Sequence, residues 1–199
     1  CKYLPIGFDC DGQGNVVKVR ETMYMYSDEN FYGFGEKFTG FNKRGQVIHC
    51  RQSDALSTNT ERSYQNIPYF MSSRGYSILL NTYTDNVCDM GVGSGVSYGM
   101  EVADKMLDYV MFCDREYKGL LEGYTALTGR PALPPAWSFG LWLTTSFTTD
   151  YDEKTVRSFV DGMHQRNIPL HVFHFDCFWM KENEWCNFTW DEAMFDDAP

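Results

Sequence analysis

Short stretches rich in apolar and aromatic residues, separated by turn residues, make up the first part of the chain. Thr22 to Tyr26 alternates polar and apolar side chains, and Tyr76 to Asn81 follows a turn. Similar segments are Val16 to Arg20 and Lys105 to Phe112. Strands at this spacing are typical of a β-sandwich. The pattern therefore predicts a β-sandwich domain over residues 1–113.

A helical period replaces this pattern after Asp114. Asp114 or a neighbour can cap the start of the helix, and Gly129 is placed to end it. The three prolines of the segment from Arg130 to Pro135 can neither continue a helix nor pair inside a sheet. We interpret residues 114–136 as a linking helix and a domain junction. The apolar face of the predicted helix is formed by Leu120, Leu121, Tyr124 and Leu127.

A strand, a helix and a second strand are predicted after the junction. Trp137 to Leu143 is an apolar run that favours a strand buried on both faces, and Leu170 to Phe175 is the second strand. Asp150 and Glu153 form a capping box at the start of the helix between them. The unit requires a parallel sheet, so residues 137–199 are predicted to begin an α/β domain. A (β/α)8 barrel needs about 250 residues, so we expect such a barrel to be incomplete here. The helix has an apolar stripe formed by Val156, Phe159, Val160 and Met163.

Composition narrows the class of protein. Hydrophobic residues make up 43 % and charged residues 22 % of the 199 residues, as in an ordinary folded domain. The net charge of -10 has the wrong sign for binding nucleic-acid phosphates or an anionic membrane. No run of 18 apolar residues occurs. We therefore expect neither nucleic acid nor a membrane as a partner.

Cysteine and histidine positions give no sign of a metal or disulfide framework. The seven cysteines are an odd number, widely spread and without a C-x2-C pair, which favours free thiols in a reducing cytoplasm. His171 and His174 lie three apart on the second predicted strand, so they face opposite sides and favour hydrogen-bonded core histidines. We expect no metal site and no cofactor.

Candidate binding groups follow the two predicted strands of the α/β part, where the loops of parallel folds converge. The segment from Asp176 to Trp185 combines a carboxylate, a thiol and several rings. Such a set suits sugar recognition, but plain packing of Trp179 and Trp185 is an equally good interpretation. In the β-rich part, the polar stretch from Arg51 to Thr60 predicts a long loop reaching over a neighbouring site, with Asp54 on it.

The stretch from Phe31 to Phe38 contains two glycines among bulky rings. Gly33 and Gly35 allow the backbone to turn tightly there. Glu36 and Lys37 form either a surface pair or the edge of a site.

Four stretches together resemble the family 31 glycoside hydrolases, and within that family the bacterial α-xylosidases. The resemblance covers nearly the whole chain beyond about Phe31. The four stretches are Tyr32 to Phe38 (YGFGEKF), Asn66 to Phe70 (NIPYF), Thr128 to Trp137 (TGRPALPPAW) and His174 to Met180 (HFDCFWM).

The resemblance implies a multidomain β plus α/β protein. A galactose-mutarotase-like β-sandwich would precede the start of a catalytic (β/α)8 TIM barrel. The implied parent enzyme is a retaining α-xylosidase that releases terminal α-linked xylose from oligosaccharides, and we expect it to be a cytoplasmic homo-oligomer. An α-glucosidase of the same family and a non-catalytic carbohydrate-binding module are the alternatives. The family's nucleophile motif, similar to K-T-D-F-G-E, is absent from the sequence. We therefore expect this chain alone to be inactive.

The same resemblance implies which residues contact the sugar. Related α-glucosidases carry an acid at the position of Phe178, where it can bind the C6 hydroxyl of a hexose. An apolar ring there favours xylose, which lacks C6. The implied substrate-binding residues are Asp54, Phe147, Cys177, Phe178 and Trp185, with Asp176 as their neighbour.

Overall fold

The computed structural model describes residues 5–55, 58–145 and 152–196. The chain forms two compact units that divide between Pro131 and Ala132. This division lies inside the proline-rich segment from Arg130 to Pro135.

The first unit is a β-sandwich, as predicted. A five-stranded sheet has the order β1-β2-β8-β7-β4 and a four-stranded sheet the order β3-β5-β6-β9, and all pairings within them are antiparallel. Residues of both sheets alternate between the core and the outer faces. The strands are β1 (Ile6–Cys10), β2 (Val16–Tyr24), β3 (Phe31–Gly35), β4 (Val47–Cys50), β5 (Asn66–Ser72), β6 (Tyr76–Leu80), β7 (Asn86–Asp89), β8 (Ser97–Val102) and β9 (Tyr109–Cys113).

Two strand predictions differ from the structure in their bounds. The segments Val16 to Arg20 and Thr22 to Tyr26 merge into one strand, β2, which ends at Tyr24 and pairs with β8 from Val19 to Tyr24. The segment predicted to begin at Lys105 becomes a strand at Tyr109, where pairing with β6 begins. Apolar content alone therefore overestimates the length of a strand, because the strand ends where its hydrogen-bonding partner ends.

Aromatic rings from both sheets fill the core of the sandwich. Phe70 is fully buried, stacks on Phe34 at 5.2 Å between ring centroids, and meets Phe31 edge to face at 5.8 Å. Tyr98 of the opposite sheet lies 5.2 Å from Phe31. Rings of this size dominate core energetics because each removes a large apolar area from water.

The two glycines of β3 allow close contact between the β3 and β5 backbones. Gly33 has φ +131° and Gly35 has φ +73°, and the pairing with β5 shifts register between them. A Cβ atom on Gly35 would lie 2.5 Å from the carbonyl oxygen of Gln65. The irregularity places Phe34, itself at φ +72°, in the core. In place of the predicted tight turn, the structure thus has an irregularity within the strand β3.

The predicted helix is present as α1 (Tyr117–Thr128) and packs on the four-stranded sheet. Leu120 is buried, and Tyr124 stacks on Tyr69 of β5 with 4.1 Å between ring centroids. Leu121 and Leu127, predicted on the same face, remain exposed. The sheet therefore covers a narrower stripe of the helix than the sequence indicates.

The two ends of α1 differ in how well they were predicted. The N-cap residue is Glu116, which makes no side-chain capping bond. Asp114 instead accepts a hydrogen bond from the Glu116 amide, at 2.8 Å. Gly129 ends the helix with φ +112°, as expected for a glycine that stops a helix.

The second unit contains the predicted strand, helix and strand in parallel arrangement. The strands are β10 (Trp142–Leu143) and β11 (Val172–Phe173), with Trp142 opposite Val172. Helix α2 (Glu153–Gln165) connects them. The prediction of a βαβ unit is thus confirmed.

The buried strand predicted from Trp137 to Leu143 is wrong in extent and burial. A 3-10 helix (Ala136–Phe139) takes up its first part, and only two residues pair with β11. Phe139 and Trp142 are exposed. A strand of a parallel sheet is buried only where both faces are covered, and the described residues of this unit supply a single connecting helix.

Helix α2 begins later than the predicted capping box implies. Asp152 is the N-cap, and its Oδ1 accepts a hydrogen bond from the Thr155 amide at 2.6 Å. Asp150 lies outside the described residues. Val156 is buried, whereas Val160 of the same predicted stripe is exposed. The hydrogen bond to Thr155 lowers the pKa of Asp152, so the cap is charged at neutral pH.

We expect Gly35→Ala to destabilise the sandwich far more than Gly14→Ala. Both glycines have positive φ, which costs about 1–2 kcal/mol for any other residue. Gly14 has no atom within 4 Å of the added methyl group, whereas at Gly35 that group meets backbone. Urea denaturation followed by far-UV circular dichroism, which reports the strands of the sandwich, should show a loss of about 3 kcal/mol or more for Gly35→Ala. Equal losses in the two variants would show that β3 and β5 can separate at little cost.

Candidate functional site

A long polar loop joins β4 to β5 and carries Asp54. Near its base, the Ser53 amide donates to the carbonyl oxygen of Ser63 at 3.1 Å, and Gln52 forms a parallel β-bridge with Ser63. Ser63 is fully buried. The two sides of the loop are thereby held together immediately before Asp54.

Asn66, the first residue of β5, ties this loop to the sandwich. Its amide and its side-chain nitrogen donate to Gln52 Oε1 at 2.7 and 2.8 Å, and the side-chain nitrogen also donates to the carbonyl of Arg51 at 2.9 Å. Its Oδ1 accepts from Lys37 Nζ, which also donates to the carbonyl of His49 at 2.6 Å. Lys37 therefore bonds residues at the base of the loop.

Asp54 is an exposed carboxylate with one bonded partner among the described residues. Tyr64 Oη donates to Asp54 Oδ1 at 2.6 Å. The same hydrogen bond raises the pKa of Tyr64, because ionising the phenol would remove the donor and place two negative charges together. Tyr64 was not among the residues selected from the sequence, since nothing in a polar loop without periodicity indicates which side chains meet.

In the second unit, three predicted site residues follow β11 closely, and the fourth, Trp185, lies farther along the chain. Asp176 accepts a hydrogen bond from the Cys177 amide at 2.6 Å and opens a 3-10 turn (Cys177–Trp179). Burial raises the pKa of the Cys177 thiol, and the neighbouring Asp176 carboxylate raises it further. The turn places Phe178 against Trp185, with 6.2 Å between ring centroids and 58° between planes.

The aromatic residues near this turn divide into two groups. Trp179 packs on Trp190 at 4.9 Å, and Trp190 in turn contacts Phe195 at 4.8 Å. Packing is thus the better interpretation of Trp179. Trp185 is 47 % exposed and presents its ring at the surface of the unit beside Phe178.

The predicted site residues are therefore distributed over both units. Asp176, Cys177, Phe178 and Trp185 come together in the second unit, and Asp54 belongs to the first. Phe147 lies outside the described residues. His171 Nδ1 accepts from the Leu141 amide at 3.1 Å, but the imidazole is exposed, so the expectation of a core histidine is wrong.

Two further properties concern the described part of the chain alone. No helix there is long and apolar enough to span a membrane. The six cysteines within it are free thiols, and no group of three or more His, Cys, Asp or Glu side chains in it could hold a metal ion.

A β-sandwich followed by a parallel βαβ unit places the chain in the class of multidomain β plus α/β proteins. The sequence model of one protein family, the glycosyl hydrolase 31 N-terminal galactose mutarotase-like domain, matches residues 10–89. A second family sequence model, the glycosyl hydrolases family 31 TIM-barrel domain, matches residues 131–199. The chain belongs to glycoside hydrolase family 31.

Individual relatives agree with this assignment. The chain is 46 % identical over 179 residues to α-xylosidase XylQ of Lactiplantibacillus pentosus, covering 90 % of this chain and 23 % of that protein. It is 45 % identical over 170 residues to an α-xylosidase of Emericella nidulans, covering 85 % and 22 %. The chain thus spans less than a quarter of the length of either relative.

A solved structure shows the same fold. The family 31 dextranase FjDex31A of Flavobacterium johnsoniae, in complex with glucose, matches with a TM-score of 0.77 and 28 % identity. The match covers 95 % of this chain and 22 % of the dextranase.

We expect Cys177 to react more slowly with iodoacetamide at pH 8 than the exposed Cys186. A raised pKa leaves Cys177 protonated at a pH where an ordinary thiol begins to ionise, and the thiolate is the reactive form. Mass spectrometry of the labelled peptides gives both rates in one sample. Asp176→Asn should speed labelling of Cys177 and leave Cys186 unchanged, because it removes the neighbouring negative charge. Equal rates at the two cysteines in the unaltered chain would contradict the raised pKa.

Proposed function

We propose that a full-length protein containing these 199 residues is a retaining α-xylosidase that removes terminal α-linked xylose from oligosaccharides. The two relatives named as α-xylosidases support this substrate class. In retaining glycosidases one carboxylate attacks the sugar and a second acts as acid and then base. We place both on barrel strands beyond those described here, so that this chain supplies part of the sugar-binding site.

The contact between Phe178 and Trp185 beside Cys177 carries this proposal. A phenyl ring offers no hydrogen-bonding atom. A hexose whose C6 hydroxymethyl group faced that ring would bury a hydroxyl without a partner, whereas a pentose has no such group. The ring therefore favours xylose over glucose by disfavouring the larger sugar.

The remaining predicted residues are also proposed to bind sugar. Asp54 and Asp176 accept hydrogen bonds from sugar hydroxyls, and Trp185 covers an apolar C–H face. Phe147, which lies outside the described residues, is likewise proposed to contact the sugar. Trp185 is available for such contact because about half of its surface is exposed.

The setting of the protein is also a proposal. The free thiols of the described residues support a reducing compartment such as the cytoplasm. We propose that the full-length enzyme is a homo-oligomer, and that the 199-residue chain alone binds sugar without turnover.

We expect Phe178→Asp in the full-length enzyme to shift selectivity toward glucose. The new carboxylate can bind the C6 hydroxyl, so kcat/KM for p-nitrophenyl α-glucoside relative to α-xyloside should rise about tenfold or more. Phe188→Asp is the matched control, since it introduces the same charge at a ring that is 77 % exposed in the same unit.

Three results would contradict parts of the proposal. An unchanged ratio in Phe178→Asp would show that this ring does not set selectivity. Faster cleavage of α-glucosides than α-xylosides by the unaltered enzyme would favour an α-glucosidase. Sugar binding without turnover by the full-length protein would favour a non-catalytic binding module.

A further inference from the structure

The position of Asp54 is fixed by the stem of the loop that carries it. The hydrogen bond from the Ser53 amide to the Ser63 carbonyl joins the two sides of the stem at 3.1 Å. Asp54 and Tyr64 are the residues that directly follow these two partners along the chain. The backbones of both residues are therefore anchored at the same level of the loop.

The stem is in turn anchored to the sandwich. Asn66 bonds Gln52 on the other side of the stem, and Lys37 bonds both Asn66 and the end of β4. Ser63 Oγ also donates to Asn66 Oδ1, at 3.3 Å. These contacts restrain the backbone but leave an exposed aspartate side chain able to rotate.

The phenol of Tyr64 restrains this rotation. Its hydroxyl donates to Oδ1 of Asp54 at 2.6 Å, which leaves Oδ2 oriented as an acceptor. Fixing a side chain before a ligand binds lowers the entropy lost on binding. An ordinary tyrosine already keeps its proton at neutral pH, and the raised pKa of Tyr64 extends the range over which the phenol donates to higher pH.

We propose that Tyr64 is a positioning residue, which orients the Asp54 carboxylate for a hydrogen bond to the terminal sugar of the substrate. The inference rests on the proposed function, in which Asp54 contacts that sugar. Tyr64 acts through Asp54 and need not touch the substrate itself.

The test is a double-mutant cycle in the full-length enzyme with p-nitrophenyl α-xyloside. Tyr64→Phe removes a single hydroxyl and should raise KM about three- to tenfold with little change in kcat, because the lost contact serves binding. Asp54→Ala removes the group that Tyr64 orients. In that background, Tyr64→Phe should have no further effect on KM.

Tyr83→Phe is the matched control, since Tyr83 is a fully exposed tyrosine of the same unit. It should leave KM unchanged. An unchanged KM in Tyr64→Phe, or the same increase with and without Asp54, would overturn the positioning role.

The same cycle separates this inference from the proposed function. If the unaltered enzyme cleaves p-nitrophenyl α-glucoside in preference, the proposed substrate is wrong. The cycle run on the glucoside then still decides whether Tyr64 acts through Asp54.

Discussion

The arrangement of the first unit depends on the close backbone contact between β3 and β5. Gly33 and Gly35 permit this contact, because a side chain at either position would collide with the β5 backbone or the residue before it. The same pairing sets Gly35 opposite Asn66. Asn66 is the residue that closes the loop bearing Asp54, so packing of the core and placement of a candidate site residue share one structural cause.

The two units hold their candidate residues by different means. In the first, an extensive aromatic core holds the strands of the sandwich in place. A network of side-chain hydrogen bonds then fixes the polar loop between β4 and β5 to these strands. In the second, the strands are two residues long, and the turn after β11 is held by the Asp176 carboxylate. A carboxylate bound to a backbone amide is a strong local restraint, and it can orient a short turn where little sheet is present.

Local patterns account for what could be predicted from the sequence. Alternation, turn residues and helical spacing identified the sandwich, α1 and the βαβ unit, since these signals depend on neighbouring residues alone. Strand ends were less accurate, because pairing partners decide them, as at Tyr109 and Trp142. The contact of Tyr64 with Asp54 could not be predicted, because it joins residues ten apart in a loop without periodicity. Choosing Asp152 over Asp150 as a cap likewise requires knowing which carboxylate meets the Thr155 amide.

In the proposed enzyme, sugar selectivity would arise because the rings that follow β11 cannot form a hydrogen bond with a hexose C6 hydroxyl. A polar group that recognises a hydroxyl gains a modest net free energy, about 1 kcal/mol, because water already satisfied both partners. A hydroxyl buried against the rings of Phe178 and Trp185 loses its hydrogen bonds to water and gains none in return, which costs about 1–3 kcal/mol of binding free energy. Apolar rings at this position can therefore weaken hexose binding by at least as much free energy as a hydrogen bond to the C6 hydroxyl would contribute. Their rigidity matters as much as their chemistry, and the Asp176 cap and the ring contact with Trp185 both restrain Phe178.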